Sequence, residues 1–449
     1  MYVVLLSGGS GKRLWPLSND SRSKQYIKLI KKEKTNERCS MIQRVWSQLE
    51  DAGLSQNSLI CASQGQVEII RSQLGDVNIA IEPDRRDTFP AAALSCAYLT
   101  SKMGAGEDEL VCFIPVDPYT DASYFETLKK LPETLESTGA DIVLMGAKPS
   151  FRSSVYGYMI PRETENGIIS IEYFKEKPSA REAGELIEKG ALWNCGVFCL
   201  KIKDILARVD QYGLPDDYDL MFKKYDRFPK ISFDYEILEK CEKLSALIFE
   251  GSWKDLGTWD VLMEEMSSVS VGKVLFDDTC TDSNIINELN IPVLAMGVKN
   301  LAVVASHDGI LVCDKKESSK IKAAVAEIQS PPMYEERRWG TIKVIDVNEK
   351  DGYYHSTRQI NLFEGQNSSY HFHACRDEVW TILEGEGEVI INGRRRLIGK
   401  GDVVKIDSGD RHAVRALKEL IFIEIQFGRS IANDDLNRLT LVWDEIECK

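Results

Sequence analysis

Apolar and polar positions in residues 1–120 alternate between short apolar runs and longer stretches with helical spacing. Tyr2–Leu6 and the SLIC and VNIAIE segments are predicted to be strands. The PAAALSCAYLTSK segment after Phe89 is predicted to be a helix, and ELVCFIPVD is predicted to be a buried strand that ends at Asp117. This alternation predicts an α/β fold with a parallel sheet, in which ligands bind at the carboxyl ends of the strands.

The pattern changes twice further along the chain. From about 140 to 265, the segments DIVLMGA, YGYMI and IISIEYFKEKP indicate a mixed arrangement of strands. From 270 to 330, short apolar strands are separated by turns and followed by the helix-like segment SSKIKAAVAEIQ, which indicates a scaffold. Pro331-Pro332 and the charged EERR segment indicate a linker. Three parts are therefore predicted, with the ranges 1–267, 268–330 and 331–449.

Composition narrows the class of protein. The length of 449 residues is typical of about three domains, and 43% hydrophobic content is enough for packed cores. No apolar run approaches the ~18 residues of a membrane span, and Met1–Leu6 is too short for a secretory signal, so we expect a soluble cytoplasmic protein. Eleven cysteines without CxxC pairs argue against a disulfide framework or thiolate zinc site. A net charge of -14 argues against binding to nucleic acid or to anionic membranes.

The segment after the first strand, SGGSGKRLWPLS, has the character of a phosphate-binding loop. Its three glycines remove side chains that would keep backbone N–H groups from an anion, and Lys12, Arg13 and Lys24 supply positive charge. It is not a P-loop, because Arg13 stands where Ser or Thr is required, and Leu14 replaces the third glycine of a dinucleotide fingerprint. By itself this pattern is equally typical of a solvated surface turn.

LLSGGSGKRLWPLS followed by SKQYIKL resembles the opening signature of the mannose-1-phosphate guanylyltransferases, within the sugar-phosphate nucleotidyltransferase family. The resemblance implies a Rossmann-like, glycosyltransferase-A-like domain followed by a short left-handed β-helix-like segment. It also implies a nucleotide site, which comprises Leu6, Ser7, Gly8, Gly9, Gly11, Glu82, Asp87 and Thr88.

Two of these positions have another explanation. The family more often has Asn where Asp87 stands, and Asp87 or Thr88 can simply be the N-cap of the following helix.

Asp117 follows the apolar strand VCFIPV, so its carboxylate must be solvated, capped or bound to a metal. In the family, an Asp here is a ligand of Mg²⁺, and WKDLGTW resembles the second metal motif, so Asp255 would complete the Mg²⁺ site. The usual neighbouring His is replaced by Pro118. Asp117 as a turn-stabilising residue, and the segment from Trp253 to Trp259 as a packed corner, are the structural alternatives.

The expected sugar-binding residues lie between positions 156 and 234. Tyr156-Gly157 resembles the family's sugar-contact glycine, and EKP resembles a motif in which Lys177 neutralises the sugar phosphate while Glu176 accepts hydroxyl hydrogen bonds. Asn194, in WNCGVF, is the expected hydroxyl reader. Taken alone, EKP is also typical of an exposed charged turn.

Further along, Ser232 is predicted to be the N-cap of a helix that carries Asp234, a substrate-binding candidate, with Tyr235 or Glu236 facing the cleft.

The last part contains a second set of candidate residues. Gly365, the HFH segment, Glu378 and Gly385 fit the first cupin motif, and Gly401, Gly409 and a further histidine fit the second, with Asp407 and Ala416 as departures. Alternation along a strand places two of the histidines on one face, so an all-β cupin (jelly-roll) domain is predicted to bind a transition metal, namely Zn, Mn, Co, Ni or Fe. The predicted ligands are His371, His373, Glu378 and His412. A metal-free cupin that serves packing or pairing of subunits is the alternative.

This part resembles the C-terminal domain of the bifunctional, type II phosphomannose isomerase and guanylyltransferase proteins. Those proteins usually have Gln where His371 stands, His where Val379 stands, and a Tyr-Gly-Arg ending that is absent here. In an isomerase, Arg376 would help to hold charge. The expected partners are GTP and a hexose 1-phosphate, and a homodimer is expected. Two alternatives stay open: transfer to another manno-configured sugar with a structural or sugar-binding cupin, and a nucleotide sensor without turnover.

Overall fold

The structure is a computed structural model, and it describes residues 1–9, 12–19, 21–32, 37–165, 167–266, 268–328, 331–429 and 435–447. The backbone of Lys12 is described, but its side chain is not. Contacts divide the chain into two units. The first comprises Met1–Gly11, Ser23–Val67 and Leu74–Ser267, and the second comprises Lys12–Arg22, Glu68–Gln73 and Ser268–Lys449.

A nine-stranded mixed sheet forms the centre of the first unit, and two short hairpin pairings lie outside it. The nine strands follow the order β5-β4-β1-β6-β11-β8-β12-β10-β9. The predicted parallel arrangement is confirmed for β1, β4, β5 and β6, whereas β11 runs antiparallel to β6. The strands are β1 Tyr2–Leu6, β2 Ile30–Lys31, β3 Arg38–Cys39, β4 Ser58–Ser63, β5 Ile79–Glu82, β6 Leu110–Pro115, β7 Pro118–Thr120, β8 Ile142–Ala147, β9 Tyr158–Glu165, β10 Ile168–Lys175, β11 Leu192–Lys201, β12 Leu244–Phe249 and β13 Trp253–Asp255.

The helices around this sheet include one that is apolar on nearly every side. It runs over Thr88–Met103, where ten consecutive positions from Phe89 are apolar or small, and it ends at Gly104 in the left-handed conformation. Its buried residues join the core of the sheet. The helices are α1 Met41–Asp51, α2 Val67–Leu74, α3 Thr88–Met103, α4 Ser123–Leu128, α5 Leu131–Thr138, α6 Ala180–Glu188, α7 Ile202–Val209, α8 Tyr218–Lys223, α9 Phe233–Glu236 and α10 Trp259–Glu264.

Short strands in mainly parallel pairs begin the C-terminal part of the second unit. β14, β16 and β18 pair in parallel, as do β15 and β17, and β19 returns antiparallel on β18. The predicted helix-like segment contains only one four-residue α-helix between 3-10 turns. The elements are β14 Ser270–Val271, β15 Val274–Phe276, β16 Asn284–Asn287, β17 Val293–Ala295, β18 Leu301–Ser306, β19 Gly309–Asp314 and α11 Ile321–Ala324.

Two antiparallel sheets form the remainder of the second unit, which confirms the predicted all-β cupin. Their orders are β20-β21-β22-β29-β24-β27 and β26-β25-β28-β23-β30. A core cluster that includes Trp380, Val389 and Phe422 lies between them, because alternate residues of each strand point inward. The strands are β20 Tyr334–Arg337, β21 Gly340–Lys350, β22 Tyr353–Leu362, β23 Tyr370–His373, β24 Arg376–Glu384, β25 Glu386–Ile391, β26 Arg394–Gly399, β27 Val403–Ile406, β28 His412–Ala416, β29 Leu420–Gly428 and β30 Leu436–Thr440.

Two expectations from composition can be compared with the described residues. None of their helices is both long enough and apolar enough to span a membrane. Their ten cysteines are all free thiols, and six of these are buried, as expected of small core residues.

Candidate functional site

The glycine loop begins directly after β1, and the side chains of Gln25 and Tyr26 hold its first residue, Ser7. The Ser7 hydroxyl lies 2.8 Å from the Tyr26 hydroxyl, and the Gln25 side chain donates to the Ser7 carbonyl oxygen. Burial raises the pKa of Tyr26, so this phenol stays neutral. A Cβ atom added at Gly9 would meet no described atom within 4 Å, so this part of the loop is open. Leu6 is half-buried at the end of β1.

Two of the basic residues expected to bind phosphate belong to the second unit, not to the unit that contains Ser7–Gly9. Lys12 and Arg13 group with the C-terminal half of the chain, and Arg13 is exposed. Gly11 and the Lys12 side chain lie outside the described residues, so their predicted roles stay predictions.

Glu82 lies at the end of β5, buried against the glycine loop. The Tyr225 hydroxyl donates to its Oε1 atom over 2.7 Å, and a Cβ atom added at Gly8 would lie 2.8 Å from its Oε2 atom. Burial raises the pKa of Glu82 to about 7, although the hydrogen bond from Tyr225 opposes this shift. No local sequence signal connects Tyr225 to Glu82, because 143 residues separate them.

The side chains of Asp87 and Thr88 both make hydrogen bonds at the start of α3. The Asp87 side chain accepts a hydrogen bond from the Thr88 amide over 2.8 Å, so the N-cap explanation is correct for Asp87. Asp87 also has φ of 73°, a conformation that is uncommon for a residue with a side chain. The Thr88 hydroxyl accepts from the Phe233 amide over 2.8 Å, so it connects α3 to α9.

The two aspartates predicted to bind a metal both lie within 4 Å of one ammonium group. Lys24 Nζ is 2.6 Å from Asp117 Oδ2 and 3.9 Å from Asp255 Oδ1. β13 pairs antiparallel with β7, so Asp255 stands opposite Pro118, next to Asp117. The predicted convergence of Asp117 and Asp255 is therefore present, and Lys24 joins it.

The expected sugar-binding residues form one cluster in the same unit. Asn194 Nδ2 donates to Asp234 Oδ1 over 3.1 Å, and Lys177 Nζ donates to Glu176 Oε1. Burial, followed by the negative charge of Glu176, raises the pKa of Asp234 to about 7. Burial lowers the pKa of Lys177, but the hydrogen bond with Glu176 and nearby carboxylates outweigh it, so the pKa is raised.

Gly157 makes room for protein atoms as well as for any ligand. A Cβ atom there would lie 2.5 Å from Phe174 and 2.6 Å from Glu176 Oε2. Tyr156 packs edge-on against Trp193 and Trp253, with ring centroids 5.0 and 5.4 Å apart. This aromatic cluster, which the motifs did not predict, connects the sugar motifs to the strand that carries Asp255.

α9 confirms one prediction and decides between the two residues of another. The Ser232 side chain accepts a hydrogen bond from the Tyr235 amide and is the N-cap. Glu236 does not face the cluster, because its carboxylate accepts hydrogen bonds from Gln211 and Lys240. Tyr235 is exposed and lies near enough to Lys177 to contribute to the rise in its pKa, and Asp234, a further candidate, contacts Asn194.

The cupin candidates converge as predicted. His371 and His412 stand opposite each other on β23 and β28, and the ligand atoms of His371, His373 and His412 lie within 4.8 Å of one another. Glu378, from β24, places its Oε1 atom 3.2 Å from His373 Nε2 and its Oε2 atom 3.7 Å from His412 Nε2.

The orientation of the three imidazoles fits a metal. Each Nδ1 atom lies at hydrogen-bond distance from a backbone carbonyl: Ser369 for His371, Asp435 for His373 and Asp410 for His412. This arrangement places the proton on Nδ1 and leaves the Nε2 lone pair for a ligand bond. Burial lowers the pKa of His371 to about 3 and also lowers the pKa of His412, so both rings are neutral. Within the described residues, the buried His412 Nε2 atom makes no hydrogen bond.

These residues line a cavity of about 240 Å³. Glu378 accepts hydrogen bonds from Trp380 and Gln426 over 3.0 and 2.9 Å, so its carboxylate is fixed. Arg376 Nη2 lies 3.2 Å from His373 Nε2, at the edge of the histidine group. Burial, followed by the charge of Glu378, raises the pKa of Glu424 to about 8 in the same cavity.

Comparison with known proteins agrees with both halves of this description. The sequence model of the nucleotidyl transferase family matches residues 2–270, and that of the cupin domain matches residues 360–425. A mannose-1-phosphate guanylyltransferase of Escherichia coli is 26% identical over 478 residues, with 98% of each chain covered. The mannose-1-phosphate guanylyltransferase ManC of Salmonella typhimurium is 27% identical, with 98% of this chain and 97% of that protein covered.

Among solved structures, a mannose-1-phosphate geranyltransferase from Thermus thermophilus is similar. It is 28% identical with a TM-score of 0.61, and the match covers 73% of this chain and 99% of the other. The nucleotidyl transferase match spans more than half of this chain, and the relatives are covered over almost their full lengths. The resemblance seen in the sequence motifs is confirmed. The chain belongs to the nucleotidyl transferase family and is an enzyme of that family with a C-terminal cupin domain.

Proposed function

We propose that this enzyme transfers GMP from GTP to α-D-mannose 1-phosphate and releases GDP-mannose and pyrophosphate. The family implies a nucleotide and a sugar phosphate as substrates, and the relatives named above carry the activity in their names. The observation that carries the proposal is the convergence of Lys24, Asp117 and Asp255 in the same unit as the sugar-binding cluster.

The reaction is an in-line displacement. An oxygen of the sugar phosphate attacks the α-phosphorus of GTP, the bond to the β-phosphate oxygen breaks, and pyrophosphate leaves from the opposite side. Such transfers depend on positioning and charge neutralisation rather than on a protein nucleophile. Lys12 and Arg13 would hold the triphosphate, Lys24 would neutralise phosphate charge, and Lys177 would bind the phosphate of the sugar.

The carboxylates of Asp117 and Asp255 fit Mg²⁺, because they are hard oxygen donors that already share one cation, the Lys24 ammonium. A bound Mg²⁺ supplies charge neutralisation at the phosphate oxygens. With a cation held by the two aspartates, the Lys24 ammonium would be available to a phosphate group.

Two carboxyl groups, one half-buried and one buried, are proposed to recognise the sugar and the base. Asp234 and Asn194 offer an acceptor and an amide for hexose hydroxyls, and Gly157 leaves room for the Glu176 carboxylate beside the backbone. Glu82 is the carboxylate beside the glycine loop, where it can accept the N1–H and 2-amino groups of guanine. Adenine lacks that pair of donors, so Glu82 favours GTP.

The test is pyrophosphate release with Mg²⁺, measured for each of the four nucleoside triphosphates with mannose 1-phosphate, glucose 1-phosphate and a manno-heptose 1-phosphate. Release confined to GTP with mannose 1-phosphate supports the proposal. Preference for another manno-configured sugar retains the mechanism and changes the substrate. Nucleotide binding without release from any pair supports a nucleotide sensor and refutes the proposal.

A second activity, isomerisation of mannose 6-phosphate to fructose 6-phosphate, is favoured by the cupin cavity. Its three histidines and Glu378 fit a divalent transition metal, which would polarise the sugar carbonyl and hydroxyl. Arg376 would hold the phosphate or developing charge, and Glu424, buried in the same cavity, is positioned to carry a proton between adjacent carbons. Addition of Mn²⁺, Zn²⁺ or Co²⁺ with mannose 6-phosphate should yield fructose 6-phosphate. Its absence with metal bound leaves a structural or sugar-binding cupin.

A further inference from the structure

The stretch from Lys12 to Arg22 is held by the β18–β19 turn, a segment in which the sequence showed no chemistry. This stretch, here called the basic arm, continues the glycine loop and carries Lys12 and Arg13. It groups with the second unit, whereas Ser7–Gly9 and Lys24 on either side of it belong to the first.

Asn19 is the centre of the attachment. Its Nδ2 atom donates to Asp308 Oδ2 over 2.9 Å and to the Tyr334 carbonyl oxygen over 3.0 Å. Its Oδ1 atom accepts from the amides of Ser21 and Arg22 over 2.9 and 2.7 Å. One side chain therefore both closes the arm on itself and ties it to the turn.

The turn contributes one further bond to the arm, and two others fix the turn itself. The Ser306 hydroxyl, which is buried, donates to the Pro16 carbonyl oxygen over 2.8 Å and accepts from the Asp308 amide over 3.2 Å. Asp308 Oδ1 accepts from the Met333 amide over 2.7 Å, so both carboxylate oxygens are engaged. Gly309 lies under Trp15, and a Cβ atom there would be 2.4 Å from the indole ring.

The far end of the arm is fixed by charge. Arg22 makes a bidentate pair with Glu288, with both N–O distances 3.0 Å, and its guanidinium lies 5.1 Å from the centre of the Tyr334 ring. Bidentate pairs of this kind are strong and directional. Bonds at Pro16, Asn19 and Arg22 thus restrain a stretch in which Arg13 itself is exposed.

We infer that Ser306 and Asp308 are positioning residues for nucleotidyl transfer, because they fix the backbone from which Arg13 reaches the triphosphate. This inference rests on the proposed function. A displacement of about 1 Å in a group that stabilises charge in the transition state costs on the order of 100-fold in rate. Loss of these bonds should therefore lower kcat, while the KM of the sugar phosphate, which is bound by residues of the first unit, should stay unchanged.

Asp314 provides a matched control at the other end of the same hairpin. Like Asp308, its carboxylate accepts from an asparagine side chain, Asn300, and from a backbone amide, that of Lys316. Neither of these bonds involves the basic arm. Asp314→Ala thus removes the same kinds of bond without affecting the arm.

The experiment compares steady-state kinetics of the full chain for Asp308→Ala, Ser306→Ala, Ser306→Thr and Asp314→Ala, with thermal unfolding measured for each. We expect kcat to fall about 10-fold or more in Asp308→Ala and Ser306→Ala. Ser306→Thr, which retains the hydroxyl, should restore most of it, and Asp314→Ala should stay within about twofold of the unaltered chain. If Asp308→Ala does not fold, the two Ser306 variants decide.

Equal kcat in Asp308→Ala and Asp314→Ala would overturn the inference. A fall in kcat in Ser306→Ala that Ser306→Thr does not restore would also overturn it. So would a rise in the KM of the sugar phosphate as large as the fall in kcat. Either result indicates a general structural defect. The unaltered chain tests the proposed function separately: if it transfers another nucleotide or sugar, that pair replaces GTP and mannose 1-phosphate in the comparison. If it transfers none, the proposed function fails first and the inference falls with it.

Discussion

The two candidate sites hold charge in opposite ways. In the transferase site, Lys24 and Asp117 form an ion pair whose side chains are 14% and 30% exposed, so the charges are reachable and can exchange partners. In the cupin, His373, Glu378 and His412 are at most 3% exposed, and the imidazole protons point away from the centre. The first arrangement suits a site that exchanges charged substrates and products. The second suits a site that retains one metal ion.

This difference predicts that a substitution in one site leaves the activity of the other unchanged. The largest effect on activity is expected for substitutions in the transferase site. Asp117→Ala should lower the turnover of nucleotidyl transfer by at least ~100-fold, because the transition state loses a charge contact. Arg13→Ala should have an effect of the same size. Pyrophosphate release measures both. Asp108→Ala, which removes an exposed carboxylate, is the control. Near-normal turnover in either variant refutes its assigned role.

Removal of one imidazole from the cupin should weaken metal binding there without affecting the transferase site. His412→Ala removes one of four converging donors, so the affinity for a transition metal should fall more than the ~10-fold that loss of a supporting contact costs. Metal content after dialysis measures this. His355→Ala, an exposed histidine on β22, should keep the metal, and pyrophosphate release should be unchanged in both variants. Equal metal content in the two variants would contradict the proposed ligand set.

A smaller effect separates sugar binding from nucleotide binding. Gly157→Ala places a methyl group 2.5 Å from Phe174 and 2.6 Å from Glu176 Oε2, so one of them must shift. We expect the KM for the sugar phosphate to rise about 10-fold, the scale of roughly 1.4 kcal/mol, while the KM for GTP is retained. Gly65→Ala, where a Cβ atom meets no described atom within 4 Å, should change neither.

The last effect concerns stability rather than activity, and it depends on pH. Because the pKa of Glu82 is raised from 4.5 to about 7, the folded state holds a proton that the unfolded state releases between these values, and Glu82 contributes less stability as pH rises. A shift of this size is worth about 3 kcal/mol above pH 7. Glu82→Gln should therefore unfold at a higher temperature than the unaltered chain at pH 8 and at nearly the same temperature at pH 5.

Thermal unfolding of both proteins without nucleotide, at pH 5, 6, 7 and 8, checks this prediction. The difference in Tm should grow by roughly 6–12 °C over the series, since about 1 kcal/mol corresponds to roughly 2–4 °C in a domain of this size. A difference that does not vary with pH would show that Glu82 is already ionised when buried.

How much of each site could be predicted from the sequence depends on whether its residues lie within motifs. Asp117 follows an apolar strand and His371 and His373 alternate on one strand, so periodicity fixes their place, whereas Asp255 and His412 were assigned by the resemblance of their segments to family motifs. Tyr225 could not be predicted as the partner of Glu82, nor Asp308 as the partner of Asn19, because 143 and 289 residues separate these pairs.

α9 shows a second reason why part of the site could not be predicted from the sequence. Ser232 was predictable as its N-cap, because capping is a local interaction between neighbouring residues. Which side chain of a four-residue helix faces Asn194 depends on how the helix packs, and Asp234 does so rather than Glu236. The homodimer, the cytoplasmic location and the three domain boundaries stay predictions.

The grouping of residues 12–22 with the C-terminal half has a consequence for how the gene can be divided. A fragment that ends at residue 270 contains everything that the family model matches, yet it omits Glu288, Ser306 and Asp308. The stretch that the family model matches therefore lacks part of the attachment that holds the basic arm. Chimeras that exchange the C-terminal half between relatives must exchange the basic arm with it, or redesign both sides of the attachment together.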